Sequence, residues 1–466
     1  MQRILEQKKM KNSIFNFTVL LLIGITTAAG AQNPIIQTKF TADPAPMVYK
    51  DTVFLYTTHD ENNAGPGMGK FLMKDWLLYT STDMVNWTDR GVVASLKSFS
   101  WGRQDNGAWA HQCIERNGKF YLYCTVQGSG IGVLVADSPY GPFKDPIGKK
   151  LVGTDDIWST IDPSVFIDDD GQAYLYWGNP NLWYVKLNED MISYTGEIVK
   201  VPNVGKVKGQ TDPDPYHYQE GPWVHKKNGH YYMSYASTCC PEGIGYAMSN
   251  SPTGPWEYKG YIMKPNSKSS GNHPGIIEYK GKSYVFGFNF RLNFMITEAH
   301  HERRSVCVEE LKYNTDGTIE ELPWWSETGV QQIGSFNAFQ RVEAETINWA
   351  GGVTTQTVND NKQVFVTNIS NNDYIKIRGV DFNEGAKKFE ANVAAIADGG
   401  SIEIRIGDKT GELLGTLKLK STGTDQNWKT ITCNLKAVKG KHDIYLVFKG
   451  DKENLFNFDW WQLKAK

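Results

Sequence analysis

Three carboxylates and a histidine stand at matched points of a recurring phrase. Asp43 precedes Pro44, Asp162 precedes Pro163, Glu220 stands two before Pro222, and His273 precedes Pro274. Each opens the same kind of segment, an apolar strand, a tight turn and an aromatic strand, as in TADPAPMVYKDTVFLYTT, TIDPSVFIDDDGQAYLYWG, QEGPWVHKKNGHYYMSYAS and GNHPGIIEYKGKSYVFGFN. A further copy, AWAHQCIERNGKFYLYCT, carries Ala110 and His111 at these positions. Like charges aimed at one narrow, partly dry place raise each other's pKa values, so their convergence implies use. One carboxylate kept ionised as a base and another kept protonated as an acid is what cleavage of a glycosidic bond requires. Where the pair leaves room for a water, the outcome is inversion.

The elements that would bring these residues together follow from the repeat. Hairpins recurring at a period near 50 residues predict the blades of a propeller, whose innermost strands converge on one axis. The turn positions are Asp51, Gly118, Gly171, Gly229 and Gly281. Between the hairpins a second phrase recurs, as in YTSTDMVNWTDRG and AMSNSPTGPWEYKG, with a polar turn between strand-like ends. Inner plus outer hairpins predict five four-stranded blades over residues 32–330. The two-residue offset of Glu220 from its proline would reverse its face in a regular strand, so the strand is expected to be irregular at Gly221. After Pro323-Trp324-Trp325 the texture changes. Residues 331–340 read as a linker, and eight short alternating segments over residues 341–466 predict a β-sandwich of jelly-roll type. The fold class is therefore all-β, with no helix of ordinary length.

The 466 residues carry 49 Lys and Arg against 51 Asp and Glu, a formal charge of −2, which offers no basic surplus for nucleic acid. Residues 1–31 have a basic start, an apolar run from Ile14 to Ile25 and a small-residue exit at Ala29-Gly30-Ala31, the form of a secretory signal. No cysteine follows that run and no second apolar stretch exists, so an exported, soluble monomer without lipid or membrane anchor is expected. The six cysteines lack CxxC spacing, which argues against a zinc site. Cys113 and Cys124 flank one hairpin and stand either paired or as buried thiols, and the neighbouring Cys239 and Cys240 are candidates for a vicinal disulfide.

Over about residues 41–289 the chain resembles glycoside hydrolase family 43, five-bladed propellers that include arabinofuranosidases, xylosidases and arabinanases. The resemblance rests on Ala42-Asp43-Pro44, Ile161-Asp162-Pro163 and Glu220-Gly221-Pro222. It implies that Asp43 activates water, Glu220 protonates the leaving oxygen, and Asp162 tunes and orients the acid. It also implies that His273 lies beneath the sugar site and supports a calcium ion through waters. Relatives often have Ala-Trp-Ala-Pro where this chain has Ala108-Trp109-Ala110-His111, so Trp109 either stacks on a sugar or packs between blades. Arg291, after the fifth hairpin, is a candidate for bonding a sugar hydroxyl, with a surface role as the alternative.

From Arg341 onward the chain resembles carbohydrate-binding module family 6, through Val342-Glu343-Ala344-Glu345, Tyr445-Leu446-Val447-Phe448 and Asn457-Phe458-Asp459-Trp460. The resemblance implies a structural calcium held by Glu343, Glu345 and Asp459, and a sugar cleft beside Asn457. The cleft aromatics of the family are replaced, by Val366-Thr367-Asn368-Ile369 and Gly423-Thr424-Asp425-Gln426, which counts against binding there. The two resemblances together imply a secreted, inverting hydrolase that removes α-L-arabinofuranosyl groups from arabinoxylan or a related plant polysaccharide. A β-xylosidase is the alternative within the enzymes. Intact Asp43 and Glu220 argue against a non-catalytic carbohydrate-binding propeller.

Overall fold

The computed structural model describes residues 33–465 except 154–158, 203, 205–216, 238–240, 267–272 and 359–362. The expected leader and the Cys239-Cys240 pair lie outside the described residues.

The strands form up in chain order. The first blade holds β1 (Phe40–Tyr49), β2 (Thr52–Asp60), β3 (Asp75–Ser81) and β4 (Trp87–Ser95), and the second β5 (Ala108–Arg116), β6 (Lys119–Val126) and β7 (Gly130–Ala136). The third holds β8 (Ser164–Ile167), β9 (Ala173–Trp177), β10 (Trp183–Leu187) and β11 (Val199–Lys200). The fourth holds β12 (Tyr218–Lys227), β13 (His230–Ser237), β14 (Gly243–Ser249) and β15 (Glu257–Met263). The fifth holds β16 (Gly275–Tyr279), β17 (Lys282–Asn289) and β18 (Ser305–Leu311), with the short helix α1 (Arg291–Ile296) in between.

All five expected inner hairpins are present as antiparallel pairs. Several close through tight turns in which both central residues are left-handed, as at Asn117-Gly118 and Asn228-Gly229. That geometry matches the twist of the flanking strands and favours Asn-Gly. Two blades depart from the expected four strands. In the second, the outer segment contains Pro139, Pro142 and Pro146, which cannot donate to a ladder, and among the described residues it pairs with β7 through isolated bridges, Val135 with Lys144 and Ile131 with Val152. In the fifth, the outer segment is reduced to a bridge between Tyr313 and Ile319. Cys113 and Cys124 are buried thiols, Cys113 paired in register with Leu122 and Cys124 with His111.

The remaining strands are β19 (Val342–Glu343), β20 (Thr346–Ile347), β21 (Trp349–Gly351), β22 (Thr354–Val358), β23 (Gln363–Thr367) and β24 (Tyr374–Asp381). They continue as β25 (Lys388–Ala394), β26 (Ser401–Ile406), β27 (Glu412–Lys418), β28 (Lys429–Asn434), β29 (Lys441–Lys449) and β30 (Asn457–Lys464). Two sheets, β22-β23-β30-β25-β28 and β21-β24-β29-β26-β27, face each other over a core that includes Ile375, Phe389, Ile404, Leu446 and Trp461. This β-sandwich is joined to the propeller by more than the chain. Strand β20 extends the first blade, pairing Thr346 with Thr88 and Ile347 with Trp87. Asn86 exchanges bonds with the backbone of Arg378, and residues 331–340 run along both bodies, with Ile333 N–H on the Asp83 carbonyl and Phe336 N–H on that of Gly379.

Candidate active site

Asp43 lies in β1, Asp162 two residues before β8, Glu220 in β12 and His273 two residues before β16, so each is delivered by the innermost strand of a different blade. The backbone is kinked at every acid. Asp43 has φ of 46° beside a register shift between Ala42 and Ala45, and Asp162 has φ of 62°. In the fourth blade Gly221 takes the left-handed conformation, φ 59°, within a register shift between Glu220 and Trp223. In two copies the acid itself occupies the kink, and in the third the following glycine does. This accounts for the offset of Glu220 from its proline.

Asp43 is buried, with Oδ2 accepting from Thr58 Oγ1 at 3.0 Å and Oδ1 from Arg304 Nη1 at 2.9 Å. Burial pushes its pKa up, but Arg304, His273 and the Thr58 bond outweigh that and hold it below the usual value. Arg304 is fixed by Asp60, donating from Nε to Oδ2 at 3.0 Å and from Nη2 to Oδ1 at 2.9 Å. Asp162 Oδ2 accepts the Gly221 N–H at 3.0 Å. Burial first, then the charges of Glu220 and Asp43, push Asp162 up to about 7, against His273 and the Gly221 N–H. Glu220 Oε2 accepts from Asn179 Nδ2 at 2.5 Å.

His273 stands among the three acids. Its Nδ1 is 3.4 Å from Asp43 Oδ1, and its Nε2 is 3.3 Å from Glu220 Oε1 and 3.6 Å from Asp162 Oδ2. Burial would lower its pKa, but Asp162, Asp43 and Glu220 together raise it to about 10, which favours the protonated ring. His273 lines the pocket together with these acids. Asp162, Glu220 and His273 do bring ligand-type atoms within 4.8 Å of one another. A protonated imidazole has two N–H donors and no lone pair for direct coordination, so an ion near it would be held through waters.

Trp109 and Phe71 line the same pocket, their rings 6.1 Å apart. Arg291 is not brought there. Its Nη1 donates to the Asn33 carbonyl at 2.7 Å and its guanidinium lies over Trp349 of the sandwich, so it serves the contact between the two bodies. The arginine of the pocket is Arg304, from the same connection between β17 and β18, which no repeated phrase marks. Glu242, also outside the repeats, is buried, and burial and Glu220 push it well above the ordinary range. His111 is buried and neutral, its pKa lowered by burial to about 3.

Comparison with known proteins gives the family. Residues 31–319 match the family model for Glycosyl hydrolases family 43. The chain belongs to that family. It is a glycoside hydrolase, and residues 343–465 match Carbohydrate binding module (family 6). An arabinoxylan arabinofuranohydrolase of Paenibacillus polymyxa is 36% identical over 93% of this chain and 74% of its own length. The crystal structure of a family 43 arabinoxylan arabinofuranohydrolase from Bacillus subtilis, in complex with cellotetraose, superposes with a TM-score of 0.80 at 32% identity, covering 94% of this chain and 99% of that one. A family 43 β-xylosidase/α-arabinofuranosidase from a compost metagenome, in a calcium-free form with xylotriose, gives a TM-score of 0.56 at 29% identity, over 63% of this chain and 98% of that one.

In this family 43 hydrolase the second set of expected residues also comes together. Glu343, Glu345 and Asp459 line one cavity with Arg341, whose Nη2 is 2.8 Å from Glu343 Oε2 and 3.8 Å from Asp459 Oδ2. Glu345 is 4% exposed and its Oε2 has no hydrogen-bond partner. Hard oxygen donors around an orphaned buried carboxylate fit a calcium ion. Asn457 spends its side chain locally, accepting from Thr367 Oγ1 at 2.7 Å and donating to the Asp425 carbonyl at 2.8 Å.

Proposed function

We propose that the enzyme is exported and removes α-L-arabinofuranosyl groups from arabinoxylan with inversion, Asp43 acting as base and Glu220 as acid. The observation that carries this reading is the imidazole of His273 standing between Asp43 and Glu220, one nitrogen toward each. One ring and two polar contacts separate the carboxylates. A span of that kind accords with the roughly 6.5 to 9.5 Å separation of the two carboxyl groups in inverting enzymes. Asp43, kept ionised by Arg304, takes a proton from a water as its oxygen attacks C1. Glu220 gives its proton to the leaving oxygen as the C1–O bond breaks. Asp162 accepts the Gly221 N–H, which ties it to the strand segment that carries Glu220. The sugar preference follows from the likeness over nearly the whole chain to the two arabinoxylan arabinofuranohydrolases, and export from the form of residues 1–31. Calcium held in the sandwich by Glu343, Glu345 and Asp459, and a second ion near His273 at the propeller axis, would supply charge balance and rigidity rather than chemistry.

Incubation with arabinoxylan and with nitrophenyl arabinofuranoside and xyloside, followed by NMR, tests the reading. Arabinose appearing first as the β anomer is expected. Release of xylose alone would move the preference to xylosides, and retained activity on arabinoxylan in Glu220→Gln would overturn the assigned acid.

A further inference from the structure

We propose that Asn179 is a positioning residue for Glu220, holding the carboxyl in the orientation from which it protonates the leaving oxygen. This rests on the assignment of Glu220 as the acid. Asn179 follows the end of β9 in the third blade, whereas Glu220 lies in β12 of the fourth, so the contact crosses between blades. Its amide is gripped from both sides: Nδ2 donates to Glu220 Oε2 at 2.5 Å, and Oδ1 accepts from Gln219 Nε2 at 3.0 Å. The two grips fix which end of the amide faces the acid, because a flipped amide would set oxygen against carboxylate and nitrogen against nitrogen.

Consecutive residues of a regular strand point to opposite faces. Gln219 and Glu220 nevertheless reach the same amide, because the pairing of β12 with β13 shifts register between Tyr218 and Glu220 and again before Trp223. The kink that presents Glu220 to the pocket therefore also leaves its long side chain without the restraint of a regular ladder. Among the described residues, Asn179 donates to Glu220 Oε2 and His273 Nε2 lies 3.3 Å from Oε1. As Glu220 passes its proton to the leaving oxygen, the electron pair of the broken C1–O bond goes to that oxygen and the carboxyl becomes a carboxylate. A hydrogen bond to an ionised acceptor is stronger than one to a neutral acceptor, so the Asn179 donor strengthens as the reaction proceeds. Asn179 acts through Glu220 and is not itself among the residues lining the pocket.

The test compares wild type, Asn179→Ala and Asn179→Asp on aryl α-L-arabinofuranosides of graded leaving-group acidity, with Glu220→Gln as reference. Asn179→Asp keeps an acceptor for Gln219 but presents an acceptor to Glu220, so it answers the question even if the alanine variant folds poorly. Loss of acid assistance, a process that contributes on the order of 10²–10⁴-fold, falls on poor leaving groups. The expected result is a kcat reduced about tenfold or more on the phenyl glycoside, little change on the dinitrophenyl glycoside, and KM nearly constant. A parallel loss on all substrates, or no loss, overturns the proposal for Asn179. A Glu220→Gln variant lacking the leaving-group dependence overturns the acid assignment, and the proposal with it.

Discussion

Arg304 Nη1 donates to Asp43 Oδ1 at 2.9 Å, while the rest of the same guanidinium is clamped on Asp60. A lysine would keep the positive charge but lose the fork that serves both carboxylates. Arg304→Lys is expected to lower kcat/KM by about 10²-fold or more, on the scale of general-base catalysis. The acid limb of the pH profile should move to higher pH. The sign follows from Asp43: its pKa is held down chiefly by Arg304 against burial, and a weakened partner lets it rise, so the base is lost sooner on acidification. Steady-state kinetics across acidic pH checks both parts, and an unmoved limb would count against Arg304 as the partner that keeps Asp43 ionised.

Gly221 offers a cleaner separation of strain from function. Both Gly221 and Gly229 are left-handed, at φ 59° and 81°. A Cβ at Gly229 meets nothing within 4 Å, whereas one at Gly221 falls 2.9 Å from Cγ of His273. Each alanine substitution carries a left-handed penalty of about 1–2 kcal/mol. Only Gly221→Ala pushes the His273 ring off the acids. Thermal unfolding should show the larger loss in Gly221→Ala, whose new methyl also meets the buried ring, and hydrolysis should collapse in Gly221→Ala alone.

The positions readable in the sequence are those that the repeat displays. Asp43, Asp162 and Glu220 stand out because five hairpins built to one plan make their differing first residues visible, and the irregular strand at Gly221 follows from a counting mismatch within that plan. Arg304 and Asn179 have no such frame. Arg304 sits at the far end of the connection from Phe290 to Arg304, which has no counterpart in the other blades, so proximity to β17 draws attention to Arg291 instead. Asn179 lies just beyond β9, and its partner is in the next blade. Contacts between blades depend on how the sheets twist around the axis, which local pattern does not encode. The three-stranded second blade was open to reading from Pro139, Pro142 and Pro146, since proline cannot complete a ladder. The pairing of β20 with the first blade has no such signal, because its two residues carry no pattern of their own.

His273 carries a stability signature. Its pKa rises from an ordinary 6.5 to about 10, against burial, through Asp162, Asp43 and Glu220. A group whose pKa is raised by folding contributes stability that is fully present below the unfolded value and lost as pH rises through the folded one. The advantage of wild type over His273→Gln should therefore be greatest below about pH 6.5 and shrink steadily toward about pH 10. Denaturant unfolding of both proteins across this window measures it, and a difference that grows with pH would contradict a protonated ring.

The last prediction concerns the seam between the two bodies. The cavity holding Glu343, Glu345 and Asp459 has a volume of about 130 Å³ and is also lined by Asp89 and Arg90 of the first blade. The Asp89 N–H reaches the Glu345 carbonyl at 3.3 Å, and Glu345 directly precedes β20, the strand that extends the first blade. Asp89 itself is held by Lys39 and by Thr355 Oγ1, the latter at 2.6 Å, from either side of the seam. A buried carboxylate with one unpartnered oxygen is costly, and Glu345 responds with a pKa pushed well up by burial. A calcium ion there would let Glu345 ionise and would bind the folded chain only. Ligand in hundredfold excess over its dissociation constant then adds about 2.7 kcal/mol. Calcium is expected to raise the melting temperature of the whole chain, and chelator to lower it, because the site borders both bodies. Glu345→Gln, which keeps the shape but removes the charge, should melt at one temperature with or without calcium. Calcorimetric traces in which calcium moves only a sandwich transition and leaves the propeller transition in place would show that the ion does not couple the two.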